Sequence, residues 1–149
     1  MGNGESTLAA ALRRWLMDCE SVQGTGAFDV DYLGDGPGWA LLTAPTAPGW
    51  RQNILGQSRP EAEQVQDFVL ALRAHCGADV AGNLESLAAL EGVLAWVARR
   101  SAAGELPAWP GGEVTAVEPR RFGGAVQRGA GSAVYRLGLR VRFRPGGGA

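Results

Sequence analysis

A strict two-residue alternation runs through residues 132–144, and no other stretch constrains the fold as strongly. Tyr135, Leu137, Leu139, Val141 and Phe143 fall on one side, and Arg136, Gly138, Arg140, Arg142 and Arg144 on the other. Side chains on a β-strand point to alternate faces, so this is a strand with one apolar face and one guanidinium-bearing face. Its backbone needs paired neighbours and its apolar face needs a covering layer. Residues 113–118 read as the partner strand, and the stretch GGAVQRGAGSA between the two reads as a connecting loop.

The covering layer is legible upstream. Leu8, Leu12, Trp15, Leu16 and Cys19 recur at helical spacing within 7–20, with Ser6 or Thr7 as the cap. Within 80–103, Leu84, Leu87, Leu90 or Glu91, Leu94 and Val97 form a second helical stripe with Trp96 near its edge. Gly104 is placed as the residue just past that helix, and Gly92 inside it marks close packing against a strand. Between the helices, Phe28, Val30 and Tyr32 alternate with Asp29 and Asp31, which predicts a strand with one wet face. Residues 39–44 read as its return strand in a hairpin turned at 34–37, and 50–55 fit a short third strand. Residues 61–76 fit two patterns. Val65, Phe68, Val69 and Leu72 make a helix face, Phe68, Leu70 and Leu72 make a strand face, and intrinsic propensity favours helix.

This order predicts an α+β domain: a mostly antiparallel sheet with an N-terminal helix and a long central helix packed on one face. A chain of 149 residues suits one domain over 1–149, with a core of 6–144 and a disordered end at 145–149.

Charge narrows function further. The formal net charge is −1, which predicts no global attraction to nucleic acid. All 14 basic residues are arginine, and those at 120, 121, 128, 136, 140, 142 and 144 lie in a C-terminal part that holds no acid. Asp29 and Asp31 are the acidic counterpart, as a solvated face or as a partner for the arginines within one subunit or between two. The candidate interface residues are therefore Asp29, Asp31, Arg136, Arg140, Arg142 and Arg144. The arginine face suits an acidic protein surface or passing DNA, or is a wet face neutralised within the fold. Few aromatics lie among the arginines, so base stacking is not indicated.

Reactive constellations are not expected. His75 and Cys76 are adjacent, so their side chains diverge on either a helix or a strand. They and Cys19 lack metal-ligand spacing. Asp29, Asp31 and Asp35 suggest a cation cluster, yet no supporting motif follows them. The turn at 34–38 lacks the ending of a phosphate loop, and no nucleophile motif is present. No catalytic, cofactor or metal site is expected, and a small thiol enzyme using His75 and Cys76 is the remote alternative. Two isolated cysteines suit a reducing compartment with buried thiols. No apolar run approaches the ~20 residues that span a bilayer, so no membrane contact is expected.

Several landmarks recur together over roughly 20–143. A first helix ends Trp15, Leu16, Met17, Asp18, Cys19. The strand Val30, Asp31, Tyr32, Leu33, Gly34 follows, then a strand running into Pro45 and Pro48. Residues 79–83 precede the long helix with Trp96 near its end, Gly104 to Pro107 follow, and an aromatic, Tyr135, opens the final alternation. In this ordered set the chain resembles the small minor capsid proteins of tailed phages and prophages of Gram-positive bacteria, a family similar to the tail terminators of long-tailed phages. It departs from the family at 64–73, where an aromatic-rich strand is usual, and in the number of arginines on its last strand.

The resemblance tips 64–73 towards strand. It implies a non-enzymatic virion protein, assembled in the bacterial host cytoplasm. Copies would form a ring, a hexamer, that caps the tail tube and joins it to the head. The implied partners are the chain itself, the tail tube protein and the head connector protein, with non-specific DNA contact in the lumen. A head-completion or connector-associated minor capsid protein is the alternative.

Overall fold

The computed structural model describes residues 3–23, 27–34, 37–44, 51–52, 58–59, 63–75, 80–129 and 132–146. A 3₁₀ turn at Asn3–Ser6 leads into α1 (Leu8–Leu16). Thr7 caps α1, its hydroxyl accepting from Ala10 N–H at 3.1 Å. The helix ends at Leu16, and a turn leads into α2 (Glu20–Gln23), so the single helix expected over 7–20 is two. Cys19, in that turn, is still buried.

The main sheet contains β1 (Ala27–Val30), β2 (Gly38–Thr43), β5 (Gln64–His75), β6 (Gly112–Gly129) and β7 (Ser132–Pro145). Their order across the sheet is β1-β2-β5-β7-β6. The short segments β3 (Arg51–Gln52) and β4 (Ser58–Arg59) pair with each other. The long helix α3 (Val80–Ala102) and the two N-terminal helices contribute to one core with the sheet. This is an α+β fold.

Three expectations are corrected. The first two strands are not a hairpin: Ala27 pairs with Gly38 and Val30 with Leu41, in parallel. The sheet is thus mixed, its other pairs being antiparallel. Parallel neighbours normally need a long crossover. Here β1 is so short that the link over 31–37 suffices. Second, the alternation beyond β1 does not continue. Asp31 adopts φ 53, and Tyr32 is 66% exposed. Third, the glycine-rich stretch read as a loop is ladder: Ala125, Gln127, Arg128 and Gly129 pair with Tyr135, Val134, Ala133 and Ser132. Register shifts flank Ala125, and bulges of this kind let a strand continue where alternation fails.

Residues 64–75 are strand throughout. β5 lies between β2 and β7, pairing with β7 over 64–75 and with β2 over 68–73. Phe68, Leu70 and Leu72 enter the core opposite Thr43, Leu41 and Trp39. Helical propensity differences amount to about 0.7 kcal/mol per residue at most for ordinary residues. Burying three large apolar side chains contributes about 1.5–3 kcal/mol each, so tertiary packing decides.

The helical layer is fixed by its own contacts. Trp15 Nε1–H donates to Glu105 O at 2.9 Å, and its ring meets Trp96 at 4.8 Å between centroids. α3 buries Ser86, Leu90, Val93, Trp96 and Val97, so its core stripe is rotated from the one expected and Leu84 is 58% exposed. Gly104, at φ 77, closes the helix as expected, with Glu105 N–H donating to Arg100 O. A side chain on Gly92 would strike Ser21 Oγ, so the close approach there is to α2 and not to a strand. α3 is long and apolar enough to cross a bilayer by length and composition, but its Val93 and Val97 side faces the sheet. At the other end of the chain, Gly146 N–H donates to Gly111 O at 2.6 Å, so order extends past 144; residues 147–149 lie outside the described residues.

Candidate protein interface on the open sheet face

Helices cover one face of the sheet. The other carries every second residue of β2, β5, β7 and β6, and the register aligns them in rows. Ala40, Ala71 and Arg136 form one row; Leu42, Val69, Gly138 and Arg120 the next; Asp67, Arg140 and Glu118 the third. The alternation read from the sequence is realised on β7. Tyr135, Leu137, Leu139 and Val141 are core, with Phe143 packed against it. The arginines stand on the open face.

The partners of those arginines differ from the expected ones. β2 and β5 separate β1 from β7, so Asp29 and Asp31 do not meet the arginine ladder within the subunit. Asp31 instead accepts from Thr43 N–H at 2.8 Å and from the Thr43 hydroxyl at 3.1 Å, pinning the end of β1 to β2. It lies beyond β1, so it shares no strand face with Asp29.

Arg140 forms a two-pronged pair with Asp67, Nε to Oδ1 at 2.8 Å and Nη2 to Oδ2 at 3.1 Å. The hydrogen bond to Asp67, with the negative charges of Asp67 and Glu118 nearby, pushes Arg140 above its ordinary pKa. Arg142 reaches Glu118 at 3.0 Å and Glu63 at 3.9 Å, and Thr115 donates to the second oxygen of Glu63. Arg144 lies 4.0 Å from Glu113, both well exposed, an arrangement that contributes about 0.2–1 kcal/mol. Asp67, Glu118 and Glu63 were not singled out from the sequence. Once β5 is taken as strand, Asp67 falls on the same face as Val65 and Val69, the signal that could have found it.

Two guanidinium groups on this face stand apart. Arg136 and Arg120 are exposed and make no ion pair or hydrogen bond among the described residues. Arg120 sits opposite Gly138 and diagonal to Arg136 and Arg140. Gly138 is buried, and above it lies a depression of about 250 Å³ lined by Ala44, Asp67, Val69, Arg120 and Arg140. The result is a shallow apolar floor rimmed by charge, where Arg140 is held by Asp67 and Arg120 has no partner among the described residues. It can receive a carboxylate on an apolar stem.

The sheet edges are less available. Asp31 N–H donates to Leu41 O, which turns the Phe28 carbonyl to the free edge of β1. There Arg13 Nε–H donates to it at 2.9 Å. On the opposite edge, β6 carries Pro119, which lacks an N–H, and several register shifts. Both are devices that discourage strand addition.

His75 is the last residue of β5; its side chain and Cys76 lie outside the described residues. Asp35 lies outside them as well. Among the described residues, no three His, Cys, Asp or Glu side chains are grouped to hold a metal ion. Compared with known proteins, the chain matches no family model and no curated protein.

Proposed function

We propose that this chain is a non-enzymatic structural protein of a tailed phage or prophage, a tail terminator whose copies form a ring that caps the tail tube and joins it to the head. Its partners on this reading are further copies of itself, the tail tube protein and the head connector protein, and its place is the virion. Support comes from the ordered sequence landmarks together with the fold. The observation that carries the reading is the open sheet face, a charge-patterned surface where Arg120 rims the Gly138 depression and Arg136 stands two residues from Gly138 on β7, neither with a partner among the described residues. A joint in an assembly needs shape and complementary charge, and this face supplies both.

The test is removal of the gene from an inducible prophage followed by electron microscopy of the lysate. Filled heads and unjoined tails of irregular length are expected. Joined virions with tails of normal length would refute the reading. Heads that lose their contents beside tails of normal length would favour the head-completion alternative.

A further inference from the structure

Two opposite surfaces of the molecule are complementary. The open sheet face offers half-buried Leu42 and Val69 in the row of Arg120 and beside the row of Arg136, two guanidinium groups that have no partner among the described residues. The outward side of α3 offers the reverse. Val80 is 68% and Leu84 58% exposed, Glu91 is exposed on the same outward side, and Glu85 is exposed at its flank, about 100° round the helix from Leu84. Before Arg99, the exposed charges of α3 are the acids Glu85 and Glu91, while the Leu42–Val69 row of the sheet face ends at Arg120 with Arg136 diagonal to it.

We propose that the sheet face of one copy receives the outward side of α3 from a second copy, with Leu84 set over the Leu42–Val69 floor and Glu85 meeting Arg120 and Arg136. The inference rests on the assembly reading for the premise that copies of this chain meet. The contact is head-to-tail: each copy uses one surface to receive and the other to insert, so the array closes into a ring or continues as a filament. A protein carboxylate fits better than a phosphate backbone. Arg140, Arg142 and Arg144 already face Asp67, Glu118, Glu63 and Glu113, so a polyanion crossing this face would meet carboxylates among the arginines. The blunted edges of β1 and β6 direct association to the face.

Blocking one surface at a time tests this. Arg120→Glu with Arg136→Glu closes the receiving face, and Leu84→Arg with Glu85→Arg closes the inserting one. All four residues are exposed, and unchanged circular dichroism establishes that each variant folds. The milder pair Arg120→Ala with Arg136→Ala adds no charge and is expected to weaken association about tenfold or more. In sedimentation experiments the wild type should associate as its concentration rises, while each doubly substituted variant alone stays monomeric. Mixed together, the two blocked variants should form a one-to-one heterodimer that grows no further, because each retains the surface the other lost. A mixture that stays monomeric, or a wild type that stays monomeric at every concentration reached, would overturn the proposal. So would blocked variants that associate as the wild type does. Binding of labelled duplex DNA that depends on Arg120 and Arg136, without self-association, would overturn it in favour of a phosphate ligand. Tail tubes capped by a protein whose blocked variants fail to heterodimerise would leave the terminator reading standing and remove this one.

Discussion

The Asp31 carboxylate accepts from both the backbone N–H and the hydroxyl of Thr43 while its own backbone sits at φ 53. A left-handed conformation costs an ordinary residue about 1–2 kcal/mol, and Asp and Asn adopt it more readily than others. Asp31→Ala should therefore lower stability by about 2 kcal/mol in urea unfolding, combining strain with the lost acceptor. Asp31→Asn keeps an acceptor and should cost about 0.5 kcal/mol or less. Equal losses would show that the hydrogen bonds do not hold this corner. Gly92 makes a second test. Alanine there gains up to about 1 kcal/mol of helix propensity but drives a methyl group into Ser21 Oγ. Gly92→Ala should stabilise in a Ser21→Ala background and show less benefit, or a loss, with Ser21 present; equal effects in both backgrounds would exclude the clash. At this scale the arginine ladder was legible in the sequence, because alternation is local. Its partners were not, because Asp67 and Glu118 meet Arg140 and Arg142 through a strand order that no local pattern encodes.

Among the elements, β5 is the one whose local preference and final state disagree. Its Ala, Leu and Gln content suits a helix, yet it becomes the strand between β2 and β7. An isolated peptide of residues 61–76 should accordingly show helical circular dichroism in trifluoroethanol; a strand spectrum under those conditions would mean that β5 is locally encoded after all. Within the protein, Leu70→Ala should cost about 2–5 kcal/mol in denaturant unfolding, since Leu70 is fully buried in the core. A loss below 1 kcal/mol would contradict its place there. The long helix was legible from its period and its Gly104 stop, although the buried stripe is turned to include Ser86 and Val93. The parallel pairing of β1 with β2 was hidden, because a short link containing glycine and proline reads as a hairpin turn. The extension of β6 was hidden because bulges and glycines remove the alternation by which strands are recognised.

The molecule has two unlike sides: a helical layer whose outer surface carries Val80, Leu84, Glu85 and Glu91, and an open sheet face with two arginines that have no partner among the described residues. The α+β architecture was legible, since strand and helix periods lie in separate segments. The candidate interface was legible only in part. The sequence pointed to the last strand, but the candidates shift from Arg140, Arg142 and Arg144, which face carboxylates of their own subunit, to Arg136 and the previously unmarked Arg120. The central claim is that this surface belongs to a ring at the end of a tail tube. Its most direct test is cryo-electron microscopy of purified tail tubes incubated with the protein. The expected result is a six-membered ring seated at one end of each tube, absent when Arg120→Glu and Arg136→Glu are combined. Tubes left bare at both ends by the wild-type protein would contradict it.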